Sequence, residues 1–176
     1  MRVVRFMQAG FLALLLVLDL VVGSFVSTMS TGTVVFVSSL HFLGIVLMSQ
    51  NDSLLELMAK VFVVSVWLDL NHLASYPVFM FAYVITFLIM YRWRKYVGSN
   101  TLEFMVMAIL CLFIKEVLMY VALSMFRSYS GSLIGFFTYR SFWVIAGNMI
   151  FVPLVVWLHK QMHRIILQRA QNMYMR

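Results

Sequence analysis

The chain has 176 residues, 64% of them hydrophobic and only 11% charged, with a net charge of +7; a soluble domain has roughly 25% charged and 45–50% apolar residues. That composition excludes an ordinary soluble domain, since six helices of about 20 residues would use about 120 residues and leave only short loops. The single cysteine, Cys111, cannot form an internal disulfide, and no metal-ligand spacing and no basic patch interleaved with exposed aromatics is present, so no cofactor, metal or nucleic acid is expected.

The first helix is expected over Phe6–Val26, behind Arg2 and Arg5. Its basic start and apolar run look like a signal peptide, but a small-residue cleavage site is missing and further apolar segments follow, which argues for a retained helix. A small polar turn, Ser27–Gly32, leads to a second helix over Thr33–Met48, short for a membrane crossing. Ser49–Ser53 form a turn in which Asp52 or Ser53 can cap the third helix, Leu54–Leu70. In that helix Glu56 and Lys60 have the i, i+4 spacing of an ion pair. After the turn Asn71–Tyr76, Pro77 suits the first turn of a fourth helix ending near Arg92. Tyr91, Trp93 and Tyr96 beside Arg92, Arg94 and Lys95 read as an interface anchor.

Gly98–Asn100 break the chain, and a fifth helix is expected over Thr101–Phe126. Arg127–Gly135 is a loop, Phe136–Tyr139 suits a membrane interface, and the sixth helix is expected over Arg140–Leu158 with Pro153 kinking it. The organisation expected is a six-helix transmembrane domain, 1–158, and a basic amphipathic tail, 159–176, whose Met162, Ile165, Ile166 and Tyr174 face lipid. The fold class is all-α, a compact bundle of six transmembrane helices.

Basic residues collect in every second gap. Arg2, Arg5, Lys60, Arg92, Arg94, Lys95, Lys160, Arg164, Arg169 and Arg176 account for 10 of the 13 Lys and Arg. Only Arg127 and Arg140 fall on the opposite side, and Lys115 lies inside a helix. Basic residues stay on the cytoplasmic side, so both termini are expected there. Arg92, Arg94, Lys95, Lys160, Arg164 and Arg169 then form a surface for anionic lipid headgroups.

Asp19, Lys115 and Glu116 lie well inside their helices, where a charge costs about 2.5–3.5 kcal/mol on insertion scales. Asp19 and Lys115 are both about 20 Å from the basic face, so the first and fifth helices are expected to touch, with Asp19 facing Lys115. Adjacent helical side chains diverge by about 100°, so Glu116 is expected to find another neighbour, with Asn148 at comparable depth. Asp69 near the end of the third helix suits capping of the adjacent turn. These polar residues, with Arg140, are expected to fix helix packing or dock a partner. His41 is expected to be neutral and hydrogen-bonded, and His159 and His163 to be exposed. No G-x-S-x-G, cysteine–histidine couple or glycine-rich phosphate loop is present, so no enzymatic activity is expected.

Three stretches carry a resemblance. Ser65–Lys95, SVWLDLNHLASYPVFMFAYVITFLIMYRWRK, ends a helix in Asp69, makes a short turn and starts a helix that closes in a basic cluster. CLFIKEVLMY contains Glu116, and YRSFWVIAGN contains Arg140 and Asn148. In these places, over about 100 residues, the chain resembles MreD, the rod shape-determining membrane proteins of bacteria. It departs from that pattern at Ser65, often glycine there, in the turn after Asp69, which lacks the usual glycine, and after Arg140, where a frequent proline is replaced by Phe142, Trp143 and Val144. Lys115 next to Glu116 is also not expected from the family.

The resemblance implies a scaffold or regulator of side-wall peptidoglycan synthesis, without chemistry of its own. Such a protein sits in the bacterial inner membrane and binds the transmembrane helix of MreC. Indirectly it is linked to RodA, its penicillin-binding partner and MreB. A rival reading is the substrate-binding subunit of an energy-coupling-factor vitamin transporter, a fold that MreD proteins resemble. In that class a pair of small residues four apart docks a coupling subunit, a spacing met here by Ala9 and Ala13. A vitamin binder needs a closed outer cavity lined by aromatics and polar groups, whereas a scaffold needs a lateral groove. A proton-coupled transporter using Asp19 and Glu116 would need paired broken helices, which the sequence does not suggest.

Overall fold

The computed structural model describes residues 2–29, 36–71, 77–96, 101–126 and 131–174. Among these, all regular structure is helical: α1 (Arg2–Met29), α2 (Leu40–Met48), α3 (Leu54–Asn71), α4 (Val78–Trp93), α5 (Thr101–Met125), α6 (Leu133–Phe136) and α7 (Phe142–Tyr174). A 3-10 turn, Arg94–Tyr96, extends α4, and a π turn, Phe137–Ser141, joins α6 to α7. Arg127, Arg176, the side chains of Arg2 and Arg169, and most of the expected turns lie outside what is described.

Three helical segments are long and apolar enough to cross a membrane: Arg5–Val26, Leu102–Met125 and Leu133–Ile166. The chain is therefore a membrane protein in its coarse class. The 18 residues of α3 and 16 of α4 reach about 27 and 24 Å at 1.5 Å per residue.

Two expectations are corrected. The expected start of the second helix, Thr33, lies outside the described residues, but residues 36–39 are irregular and α2 has only nine residues. The run up to Ser39 is apolar enough to look helical, but Asn148 of α7 takes the Val37 carbonyl and the Ser39 N–H, and Asp19 of α1 takes the N–H of Leu40, as described below. Nor does the last helix stop at Leu158, because α7 runs without a break to Tyr174. The expected boundary at 158 falls inside it, and Met162 is buried against the core with Ile166 partly buried beside it, rather than facing lipid. The polar residues from His159 onward had suggested an exit from the bundle. A long helix tolerates them on its outer face, where Lys160 and Arg164 are exposed.

α2 is central, with all nine of its residues buried. It packs against α1 and α7 and touches α3 and α5, while α3 packs on α4 and α4 on α5. Gly44 permits the close approach of α1, since a Cβ there would lie 2.2 Å from Cδ1 of Leu15. The main core draws on Leu15, Phe42, Leu57, Phe87, Leu112 and Val155. A second cluster, Val78, Ala82, Met119, Ala122 and Phe136, closes the far end, where the two alanines let α4 and α5 approach closely. Phe136 is thus buried within the bundle.

Candidate functional site

The irregular stretch 36–39 has backbone groups that an apolar surrounding cannot satisfy, and such backbone is tolerated at membrane depth only when protein covers it. Asp19 of α1 and Asn148 of α7 do this. The N–H groups of Leu40 and His41 donate to Asp19 at 2.7 and 2.9 Å, and the Ser38 hydroxyl donates to it as well. Asp19 is therefore the N-terminal cap of α2, supplied from another helix, where a carboxylate also meets the positive end of the helix dipole. Asn148 accepts from Ser39 N at 2.7 Å and donates to the carbonyls of Val37 at 2.9 Å and Val144 at 2.7 Å. Its amide reads the broken strand of backbone from both sides.

His41 continues this network. Its Nδ1 contacts Asp19 and its Nε2 lies 2.7 Å from the Tyr83 hydroxyl. A carboxylate only accepts, so Nδ1 carries the proton towards Asp19, and in the neutral ring Nε2 accepts from Tyr83. Asp69 plays for α4 the part that Asp19 plays for α2: Phe79 N and Met80 N donate to its two oxygens at 2.9 and 2.8 Å. It is fully buried, and its role is to cap the helix after Pro77.

Lys115, Glu116 and Arg140 form the charged part of the site. Lys115 Nζ donates to Ser39 Oγ at 3.0 Å, lies 3.1 Å from Glu116 Oε1 and sits 5.4 Å from the Phe42 ring centroid. The contact with Glu116 is an ion pair off the hydrogen-bonding direction, and Oε1 has no aligned donor. Arg140 Nε donates to Glu116 Oε2 at 3.3 Å, and the Ser141 hydroxyl to the same oxygen at 3.5 Å. Both Arg140 and Ser141 stand in the π turn, an irregularity frequent at functional sites. Within this network Asp19 and Glu116 balance Lys115 and Arg140, while Asp69, fully buried, is a further carboxylate held by backbone N–H groups.

Three expectations about these charges are corrected here. Asp19 does not pair with Lys115: Asp19 is taken up by Ser38, Leu40 and His41 and Lys115 by Ser39 and Glu116, and α1 packs chiefly on α2 and α7, not α5. Lys115 and Glu116 do meet, because two long flexible side chains bridge the angle between their Cβ directions. Glu116 finds Arg140 and Ser141, not Asn148, whose amide is occupied by residues 37–39 and Val144.

At the opposite end lie most of the basic residues that are described. Arg94, stacked on Tyr91 at 4.0 Å, donates to the carbonyls of Ser49 and Asp52, the latter at 2.7 Å. It ties the end of α4 to the turn after α2 and is half-buried, whereas Arg92 and Lys95 are exposed. Lys60 bonds Asp52 at 2.6 Å and Gln8 at 2.9 Å, and Glu56 pairs with Arg5 at 2.6 Å. The expected Glu56–Lys60 pair is thus replaced by contacts to other elements. Ser53 and Glu56 exchange the reciprocal bonds of a capping box at the start of α3. Asn51, His159, Lys160, His163 and Arg164 line one surface cleft at this end.

Two concavities follow from the packing. Between α1 and α3 runs a lateral groove of about 520 Å³, with Ala9, Leu12, Ala13, Ala59 and Val63 in its apolar part and Arg5, Gln8, Glu56 and Lys60 at its polar end. Beyond Leu16, which borders both, a cavity of about 300 Å³ is lined by Asp19, Ser39, His41, Trp67, Phe79, Tyr83, Lys115 and Arg140 among others. Sequence reading missed the parts of Ser38, Ser39 and Tyr83, which are ordinary residues until the chain breaks at 36–39. No group of three or more metal-ligating side chains occurs among the described residues. Comparison with protein-family models, with curated proteins and with solved structures gave no match to this chain.

Proposed function

We propose that this chain is a scaffold of the bacterial inner membrane, crossing it six times with both termini in the cytoplasm. Its role is to hold the transmembrane helix of an MreC-like partner during side-wall peptidoglycan synthesis, as the resemblance to MreD implies. The observation that carries this reading is the groove between α1 and α3. It is open to the side, apolar beyond its polar end and lined by Ala9, Ala13 and Ala59, and small residues are what let two helices approach within a membrane. The buried charges support it too, since every one of them holds an element of the bundle in place, an arrangement suited to a rigid platform.

The test is co-purification in mild detergent with a co-expressed MreC-like single-pass protein, alongside Ala9→Leu and Ala13→Leu. The reading expects a stable complex that the two substitutions abolish, and rounded cells on depletion. A chain that purifies alone with a bound vitamin, and whose depletion causes auxotrophy, would instead be the substrate-binding subunit of a transporter.

A further inference from the structure

The cavity beyond Leu16 has walls whose hydrogen-bonding capacity is unequally used. A carboxylate offers about four acceptor sites. Asp19 already serves Ser38, the N–H groups of Leu40 and His41, and the His41 ring. It has nothing left for a cation. Arg140 brings five N–H donors, and among the described residues only Nε is engaged, with Glu116. Lys115 brings three, of which one goes to Ser39 Oγ and one is turned towards Glu116. The unused groups facing the cavity are therefore cationic donors.

Much of the remaining lining is apolar or aromatic, with Trp67, Phe79 and Tyr83. A volume of about 300 Å³ stands at the small end of the ~300–1,000 Å³ typical of small-molecule sites. The guanidinium fork matches a carboxylate in two-pronged fashion.

We propose that this cavity binds a small apolar monocarboxylate, its carboxylate on Arg140 and Lys115 and its body against Trp67, Phe79 and Tyr83. The site is distinct from the α1/α3 groove and does not depend on the partner reading. It also differs from a phosphate site, which would place two charges in the same space.

The test is thermal unfolding and titration calorimetry of the purified full chain in neutral detergent. The probes are 3-phenylpropionate and indole-3-acetate, with 3-phenylpropanol and 3-phenylpropylamine as neutral and cationic controls. The carboxylates should raise the unfolding midpoint, as any ligand of the native state does, and the controls should not. Arg140→Gln should weaken binding by roughly tenfold or more, the worth of a charge-assisted hydrogen bond. Since Arg140 also holds Glu116, a second variant, Leu123→Trp, fills the cavity without touching a charge, and it should abolish binding. Equal stabilisation by the alcohol, no response to either carboxylate, carboxylate binding that survives Leu123→Trp, or stabilisation by phosphatidylglycerol alone would each overturn the proposal.

Discussion

The carboxylate of Asp19 stands over the first turn of α2, where the N–H of Leu40 donates to it at 2.7 Å. One side chain from α1 thus replaces the turn of helix that α2 lacks. Removing it orphans two backbone N–H groups and a serine hydroxyl. Asp19→Ala should lower stability by about 3 kcal/mol, since each buried unsatisfied group costs about 1–3 kcal/mol. Asp19→Asn, which keeps one acceptor oxygen, should cost clearly less. Thermal melts in detergent with both variants check this, and equal loss would mean that charge rather than capping matters.

Asp69 allows the same experiment at α4 without a histidine partner. Its oxygens receive only Phe79 N and Met80 N among the contacts described, so Asp69→Ala should cost about 1–2 kcal/mol, the range of a helix cap. Circular dichroism melts should show the loss without any change in helical content at low temperature.

Glu116 faces two cations. Glu116→Ala leaves Lys115 and Arg140 buried without their shared anion, and breaking such a pair typically costs about 3–5 kcal/mol. Lys115→Met combined with Glu116→Gln removes one charge of each sign and should recover part of that loss. Exchanging the charges of Asp19 and Lys115 should rescue nothing, because Lys115 is directed to Ser39 and Glu116. Monodispersity of these three variants and of the unsubstituted chain by size-exclusion chromatography distinguishes these outcomes.

Gly44 and Leu15 form a close-packed pair. A Cβ at 44 would approach Leu15 Cδ1 to 2.2 Å, so Gly44→Ala should cost about 1–3 kcal/mol through overpacking. Leu15→Ala opens a cavity on its own, and the double variant should be less destabilised than the sum of the two.

Much of this architecture could be read from residue order, and the failures have a common cause. The start of α3 was legible because Ser53 and Glu56 make a local capping box. The end of α4 was legible because aromatic and basic residues cluster at 91–96. The break at 36–39 was not, because nothing in the local run forbids helix. It depends on Asp19 and Asn148, which are 17 or more residues before and over 100 after it in the chain. The site was legible as a set of out-of-place charges, yet its pairings were not, because depth along a helix leaves rotation about its axis open. Rotation decides that Lys115 meets Ser39 rather than Asp19.

The proposed reading, six crossings with the basic end in the cytoplasm, frames both the groove and the cavity assignments. Single cysteines in a Cys111→Ser background, probed in intact cells with a membrane-impermeant thiol reagent, test it most directly. Ile134→Cys, at an exposed position near the start of α6, should be labelled from outside, and Lys95→Cys and Lys160→Cys only after permeabilisation. Labelling of Lys95→Cys or Lys160→Cys in intact cells, with Ile134→Cys protected, would contradict the account.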